Sequence, residues 1–250
     1  MACFSHSLRY SRRQPPLSFL LALAVILPSF LLSSYSNAQV RTLYKNTYSA
    51  KVGGLTLSAE QELKEIAPGE FEVRTTFDHF LGSIIELGRF YETEDKQLRS
   101  LSYFYKRVIF GKKKEDHINI DWPAKKAFYR NHKGSKREFD VPNTVVDKAS
   151  QVEAVRRALE QGKQSFDVSI IERKGVRHSH FKVLKEETIK VKAGTFKAIK
   201  IEKIRDLNAA GPQRETRFWM ASHKGSYVLV KMEQVETDGK HYEMELSKLG

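Results

Sequence analysis

The sequence predicts a mainly β protein, an antiparallel curled sheet or barrel of about a dozen strands carrying one amphipathic helix at residues 150–161. Three observations predict it. Apolar and polar residues alternate through most of the chain beyond residue 39, the period expected where one face of a strand is buried. Glycine, asparagine, aspartate and proline interrupt that alternation at short intervals, as the reversals of a meander require. One segment, Asp147 to Lys163, switches to helical period.

The chain opens differently. Arg9, Arg12 and Arg13 precede an apolar run from Leu17 to Leu32, and Ser36 and Ala38 then occupy the small-residue positions of a cleavage site. Residues 1–38 therefore read as a secretory signal peptide, cut before Gln39, with residues 39–250 as a single β-rich domain. A retained membrane anchor would need about 20 apolar residues, and this run is shorter and broken by Pro28. The single cysteine, Cys3, lies ahead of the apolar run, where it cannot bear a lipoprotein's lipid. The expected product is periplasmic, or secreted, and held together by packing rather than disulfides.

Removing the three arginines from 43 basic residues leaves 40 against 30 acidic, a net charge of +10. Such a charge favours anionic partners. Export argues against nucleic acid and points to anionic lipid head groups, lipopolysaccharide or acidic glycans, with possible contact to a membrane surface.

The strands follow in order. Leu55, Leu57 and Ala59 alternate with polar neighbours, and after the Pro68-Gly69 turn Phe71, Val73, Thr75 and Phe77 repeat the pattern, so the two read as a hairpin. Further alternating segments are Ile118-Ile120-Trp122, Phe166-Val168-Ile170, Phe181-Val183, Ile189-Val191, Thr216-Phe218-Met220 and Tyr242-Met244-Leu246. Turns fall at Gly53-Gly54, Gly111 with Lys112 to Lys114, Asn131 to Ser135, Ala193-Gly194, Ala209 to Pro212 and Asp238-Gly239. The apolar segment His79 to Phe90 reads as a flap or short helix over a cavity. In the helical segment, Ser150 and Glu153 form a capping-box pattern, Val152, Val155 and Leu159 make one stripe, and Gly162 supplies the stop. A helix placed there would cover the open apolar face of the sheet.

Four stretches carry a family resemblance: Asp147-Lys148-Ala149-Ser150 with Val155, Arg156 and Leu159; the Val191 to Ala198 hairpin; Phe218-Trp219-Met220-Ala221; and Tyr227 to Lys231. In their order and spacing the chain resembles exported bacterial proteins of the domain of unknown function 3108 family, over roughly residues 42 to 250. The resemblance implies a periplasmic β-rich fold, similar in outline to the lipoprotein carriers and their receptors in outer-membrane sorting.

Candidate chemistry is sparse. His178 and His180 share one face of a strand and with His117 or Glu172 would make an open zinc site, but Arg173, Lys174 and Arg177 would repel the cation, and no metal is expected. No nucleophile elbow is present, and Ser135 and Ser226 sit in turns. Asp121 beside Trp122 suits a sugar site or an ordinary turn before Pro123. Phosphate-cradling glycine loops are missing from the sequence, so no cofactor is expected. Lysines 182, 185, 190, 192, 197, 200 and 203 crowd the strands after the helix and read as a solvated or anion-docking face.

Aromatic residues fill the first half. In Leu101 to Phe110 they fall on both faces, so Phe104 and its neighbours are expected to line a cavity while Tyr103 and Tyr105 face the other side. Phe104, Tyr105, Trp122, Phe128 and Trp219 are the candidate ligand-binding residues, and no catalytic residue is assigned. The expected function is a periplasmic binding or carrier module for an amphipathic, anionic envelope component, a lipid or lipoprotein. The alternative is a hydrolase of cell-wall or exported polysaccharide, which would show convergent carboxylates in a polar cleft.

Overall fold

The alternating segments become strands, except that Trp122 falls in the turn that follows its strand. A computed structural model describes residues 39–52, 55–204 and 213–250. The signal-peptide segment and the turns expected at Gly53-Gly54 and Ala209 to Pro212 lie outside the described residues. Among the described residues the strands are β1 Arg41–Val52, β2 Leu55–Ala67, β3 Glu70–His79, β4 Gly82–Glu92, β5 Leu98–Ile109, β6 Lys112–Asp121, β7 Lys126–Asn131 and β8 Lys136–Asp140. After the helix α1, Gln151–Glu160, come β9 Ser165–Glu172, β10 Gly175–Val191, β11 Gly194–Lys203, β12 Glu215–His223, β13 Ser226–Val235 and β14 His241–Lys248.

All belong to one antiparallel 14-stranded sheet, ordered β8-β7-β6-β5-β4-β3-β2-β1-β14-β13-β12-β11-β10-β9. Two meanders, one on each side of the helix in sequence, are thus joined by the β1–β14 ladder, in which Ala50 faces Met244 and Tyr48 faces Leu246. The edge strands β8 and β9 are bridged by the segment 141–150. Its Val145 carbonyl accepts from Ser100 N–H on β5 (2.9 Å), while Val146 N–H donates to Ser169 O (2.9 Å) and its carbonyl accepts from Ile171 N–H (2.8 Å) on β9. The sheet therefore curls so that β5 and β9 come within one segment of each other.

The concave face holds the core. Phe181 stacks on Phe166 and tilts against Phe218, at centroid distances of 5.7 and 6.0 Å. Val73, Ile118, Ile201, Met220, Leu229 and Leu246 are among the largest fully buried side chains. A bulge between Trp219 and Met220 lets Phe218 point inward and Trp219 outward while Met220 and Ala221 stay buried.

Three local expectations need correction. His79 to Phe90 forms no flap or helix: it is the end of β3, a tight turn and strand β4. The capping box does not form, because the Ser150 hydroxyl donates instead to Asp147 (2.8 Å) and Glu153 turns toward Tyr44 and Arg156. The faces of β5 are reversed: Tyr103 and Tyr105 face the core and Phe104 the outside, against His117. The C-terminal stop is as expected, with Gly162 at φ 69 and its N–H on Leu159 O (2.9 Å).

Because consecutive antiparallel strands reverse direction, the turns fall on two ends of the sheet. The turns after β2, β4 and β12 share an end with α1. Those after β3, β5, β7 and β9 lie at the other, about 30 Å away for strands of this length. No helix among the described residues is long and apolar enough to cross a membrane.

Candidate functional site

Helix α1 lies over the first end with Val152, Val155, Ala158 and Leu159 buried against the sheet. Its apolar stripe is flanked by Glu153 and Arg156, one turn apart, and packing on the sheet buries both, to 5% and 8% exposure. A buried charge must be paired. Arg156 Nη1 donates to Glu153 Oε2 (2.8 Å), the Tyr44 hydroxyl of β1 donates to Glu153 Oε1 (2.7 Å), and the guanidinium lies 4.6 Å from the Tyr44 ring centroid. Arg156 Nε is buried with no hydrogen-bond partner among the described residues. Burial opposes the charge on Arg156, but the neighbouring Glu153 carboxylate and Tyr44 outweigh it, so its pKa is held above the usual value. Burial, then the Glu153 charge, push the Tyr44 hydroxyl well up.

Beside this triad opens a cleft of about 330 Å³. Leu43, Leu63, Phe71, Phe90, Leu98 and Val228 supply an apolar wall, and Arg156, Arg157, His223 and Lys224 supply cationic or titratable groups. Arg157 pairs with Glu160 (2.7 Å) and with Glu92. Glu160 also accepts from Ser226 Oγ (2.5 Å), which docks the β12–β13 turn on the helix. In that turn Lys224 (φ 50) and Gly225 (φ 79) are both left-handed, holding the exposed Lys224 at the rim with no ion pair among the described residues. The cleft thus joins an apolar surface to two arginines paired with Glu153, Glu160 and Glu92 and to Lys224, which has no ion pair among the described residues. Both of its helix carboxylates are neutralised, Glu153 by Arg156 and Glu160 by Arg157.

The five residues singled out from the sequence are not brought together, and none lines this cleft. Phe104 is on the outer face, 4.9 Å from the His117 ring. Tyr105 is inside, with Lys114 Nζ 5.2 Å from its ring centroid. Trp122 closes the β6–β7 turn, donating from Nε1 to Ser100 O (2.9 Å) beneath Arg99. Phe128 is exposed on the convex face. Trp219 lies between Lys200 and Lys231 at 5.3 and 5.5 Å and donates to Glu187 (2.9 Å).

Asp121 caps its own turn by accepting from Ala124 N–H (3.0 Å). The zinc candidates are dispersed as well: His178 bonds Ser169 (2.8 Å), His180 Asp167 (2.9 Å), His117 Glu115 (2.9 Å) and Glu172 Arg177 (2.8 Å). Among the described residues no three His, Cys, Asp or Glu side chains cluster as metal ligands. The residues that sequence reasoning passed over are Tyr44, Glu153 and Arg156. One signal was available: a Glu and an Arg three residues apart on the margin of an apolar helical stripe.

A second buried network lies deeper. Asp147 accepts from Ser100 Oγ (2.6 Å), Ser150 N–H (2.9 Å) and Ser150 Oγ (2.8 Å), packed against Gly88 of β4. Burial raises its pKa to about 6 against the pull of these hydrogen bonds. It has no exposure to solvent, so it is a structural group and not an accessible acid.

Two solved structures resemble the chain. A β-barrel-like protein of domain of unknown function DUF1849 from Brucella abortus aligns over 85% of this chain and 99% of its own, with TM-score 0.54 and 11% identity, a likeness of fold. A "putative lipoprotein" from Parabacteroides distasonis aligns over 83% and 94% with TM-score 0.27 and 12% identity. No curated protein matches. The profile described as protein of unknown function (DUF3108) matches residues 91–247. That is more than half of the sequence, and the chain belongs to this family.

Proposed function

We propose that the protein is an exported envelope binding or carrier module that takes an amphipathic, anionic ligand, a lipid or lipoprotein acyl group, in the cleft beneath α1. The observation that carries this reading is the apolar wall of Leu63, Phe71, Phe90 and Leu98 with the cation Lys224, which has no ion pair among the described residues, at its rim. Its volume falls at the lower end of small-ligand sites, about 300–1,000 Å³. Arg156 Nε, buried beside the cleft without a partner among the described residues, adds a hydrogen-bond donor there. The signal-like leader and the basic charge of residues 39–250 support an envelope setting. A polysaccharide hydrolase draws less support, because Glu153 and Glu160 are each consumed by an arginine.

Native mass spectrometry of protein purified from its own envelope tests the reading, followed by delipidation and titration with a fluorescent long-chain fatty acid. A lipid adduct is expected, with saturable rebinding weakened by Leu43→Asp and by Lys224→Glu. Recovery of bare protein together with failure to bind the probe overturns the proposal.

A further inference from the structure

At the end of the sheet opposite the cleft, two aromatic side chains stand in solvent. Phe80 is 88% exposed and Phe110 72% exposed, the highest values among the exposed large hydrophobic residues. They occupy the tips of the β3–β4 and β5–β6 hairpins, and the tips are joined by Phe110 N–H donating to Leu81 O (3.0 Å). The Phe80 ring lies 4.3 Å from the ring of His79, whose Nδ1 accepts from Leu81 N–H (3.3 Å).

The backbone at Phe110 is telling. Phe110 (φ 49) and Gly111 (φ 72) form a two-residue turn with both central residues left-handed, a geometry that favours Asn-Gly or Gly-Gly. A bulky side chain at the first position costs about 1–2 kcal/mol and gains no core contact in return. Strain kept at an exposed aromatic points to use of that side chain outside the fold.

Its surroundings are mainly cationic, with the exposed Asp78 at the base of the β3–β4 turn as an acidic exception. Lys106 and Arg107 lie near the turn end of β5, ahead of Val108 and Ile109, and Lys112, Lys113 and Lys114 begin β6. Glu115 and Asp116 are engaged by Lys113 (2.8 Å) and Lys114 (3.3 Å). Lys106, Arg107 and Lys112 have no ion pair among the described residues. The turns after β7 and β9 bring Lys133, Arg173 and Lys174 to the same end, all exposed.

We propose that this end is a docking surface for an anionic lipid bilayer: Phe80 and Phe110 enter the head-group boundary while the lysine-arginine collar binds the acidic head groups. Aromatic tips supply interfacial burial, and each cation near the surface adds attraction of the same order as thermal energy or slightly above. A protein partner would need a flat complementary face, whereas two protruding rings on a cationic rim match a soft anionic surface. Docked this way, the molecule holds the cleft and α1 toward the aqueous side. The proposal stands independently of what the cleft binds.

Co-sedimentation with mixed phosphatidylethanolamine–phosphatidylglycerol vesicles, and with phosphatidylcholine vesicles, tests it on the parent and on Phe80→Ser/Phe110→Asn. Asn suits the left-handed position, so the variant is expected to fold, checked by its thermal midpoint. Binding to the anionic vesicles should fall at least about tenfold in the variant. Lys112→Gln with Arg107→Gln should lose the preference for anionic lipid, and emission from tryptophan placed by Phe80→Trp should be quenched by brominated acyl chains. Equal binding by parent and variant, no binding by either, or a parent dimer that the variant converts to monomer would each overturn the proposal.

Discussion

Gly88→Ala addresses the seam of the curled sheet with the smallest perturbation available. Gly88 sits in extended β4, and a Cβ built there lies 2.6 Å from Asp147 Oδ1, 2.7 Å from Ser150 Oγ and 2.8 Å from Asp147 Oδ2. Ser100, Asp147 and Ser150 are all fully buried, so these atoms have no free space to retreat into. Relieving the clash means moving the carboxylate away from Ser100 and Ser150, which weakens at least one of the three bonds it accepts. A hydrogen bond to a charged group contributes about 1.5–3 kcal/mol, so a loss of about that size is expected. The assay is urea unfolding at constant pH, where the midpoint should drop with little change in slope. A variant within about 0.5 kcal/mol of the parent would refute the claim that this network is rigid. The same group supplies a pH signature. Asp147 titrates at about 6 in the folded protein against an ordinary value of 3.8, so between those values the folded state holds more protons than the unfolded chain. Its contribution is therefore most favourable below about pH 4 and is lost as pH rises through 6, by about 3 kcal/mol in all. Asp147→Asn should remove that slope, and a parent-minus-variant difference that stays flat from pH 4 to 7 would refute it.

Other substitutions probe separate parts of the fold. Glu153→Gln keeps an acceptor for Tyr44 but strips the buried Arg156 of its counter-charge, and thermal unfolding should report a loss of about 3–5 kcal/mol. Phe181→Ala removes a fully buried ring between Phe166 and Phe218, and a destabilisation of about 3–5 kcal/mol is expected in denaturant titration. Phe110→Asn alone should raise stability by up to about 1 kcal/mol by relieving the left-handed backbone, seen as a higher unfolding midpoint.

Strand identity was legible wherever one face alone is apolar. Phe71, Val73, Thr75 and Phe77 could be read directly, and their ladder with β2 pairs Val73 with Leu63 and Phe77 with Ala59. In β5 both parities are aromatic, so alternation could not choose a face. The choice is made by partners: Tyr103 lies opposite Gly88 and Ile118, which are buried, while Phe104 lies opposite Leu87 and His117. The capping box failed for a related reason. Ser150 and Glu153 had the right spacing, but a buried Asp147 and a tyrosine from β1 offered stronger partners. The cleft was illegible because Tyr44 and Glu153 stand 109 residues apart, and only the curling of the sheet brings them into contact. Phe110 is the reverse case: the turn at Gly111 was visible beside it, yet its place in the aromatic run Leu101 to Phe110 suggested burial, while Phe80 was hidden in a segment read as a flap or short helix.

A meander of many similar strands poses a problem that apolar alternation does not solve. Sliding any strand by two residues preserves which face is buried, so hydrophobic burial discriminates weakly among such registers. The concave face of this protein carries a polar row that does discriminate. Asn46, Gln61, Thr75, Glu86, Tyr105 and Asp116 face one another in turn across six adjacent strands. Tyrosines from the next row reach into it, Tyr103 donating to Glu86 (2.5 Å) and Tyr129 to Asp116 (2.6 Å). The Tyr44–Glu153 contact repeats the device between sheet and helix. A two-residue slip between β6 and β7 would strip the buried Asp116 carboxylate of the Tyr129 hydroxyl and leave it only Lys114, a penalty of about 1–3 kcal/mol that the correct ladder avoids. These pairs need add little net stability to be worth keeping, because their effect is to penalise the neighbouring registers. The same logic places the helix: α1 seats where Glu153 finds Tyr44, and the cleft exists because that seating leaves Arg156 on its wall.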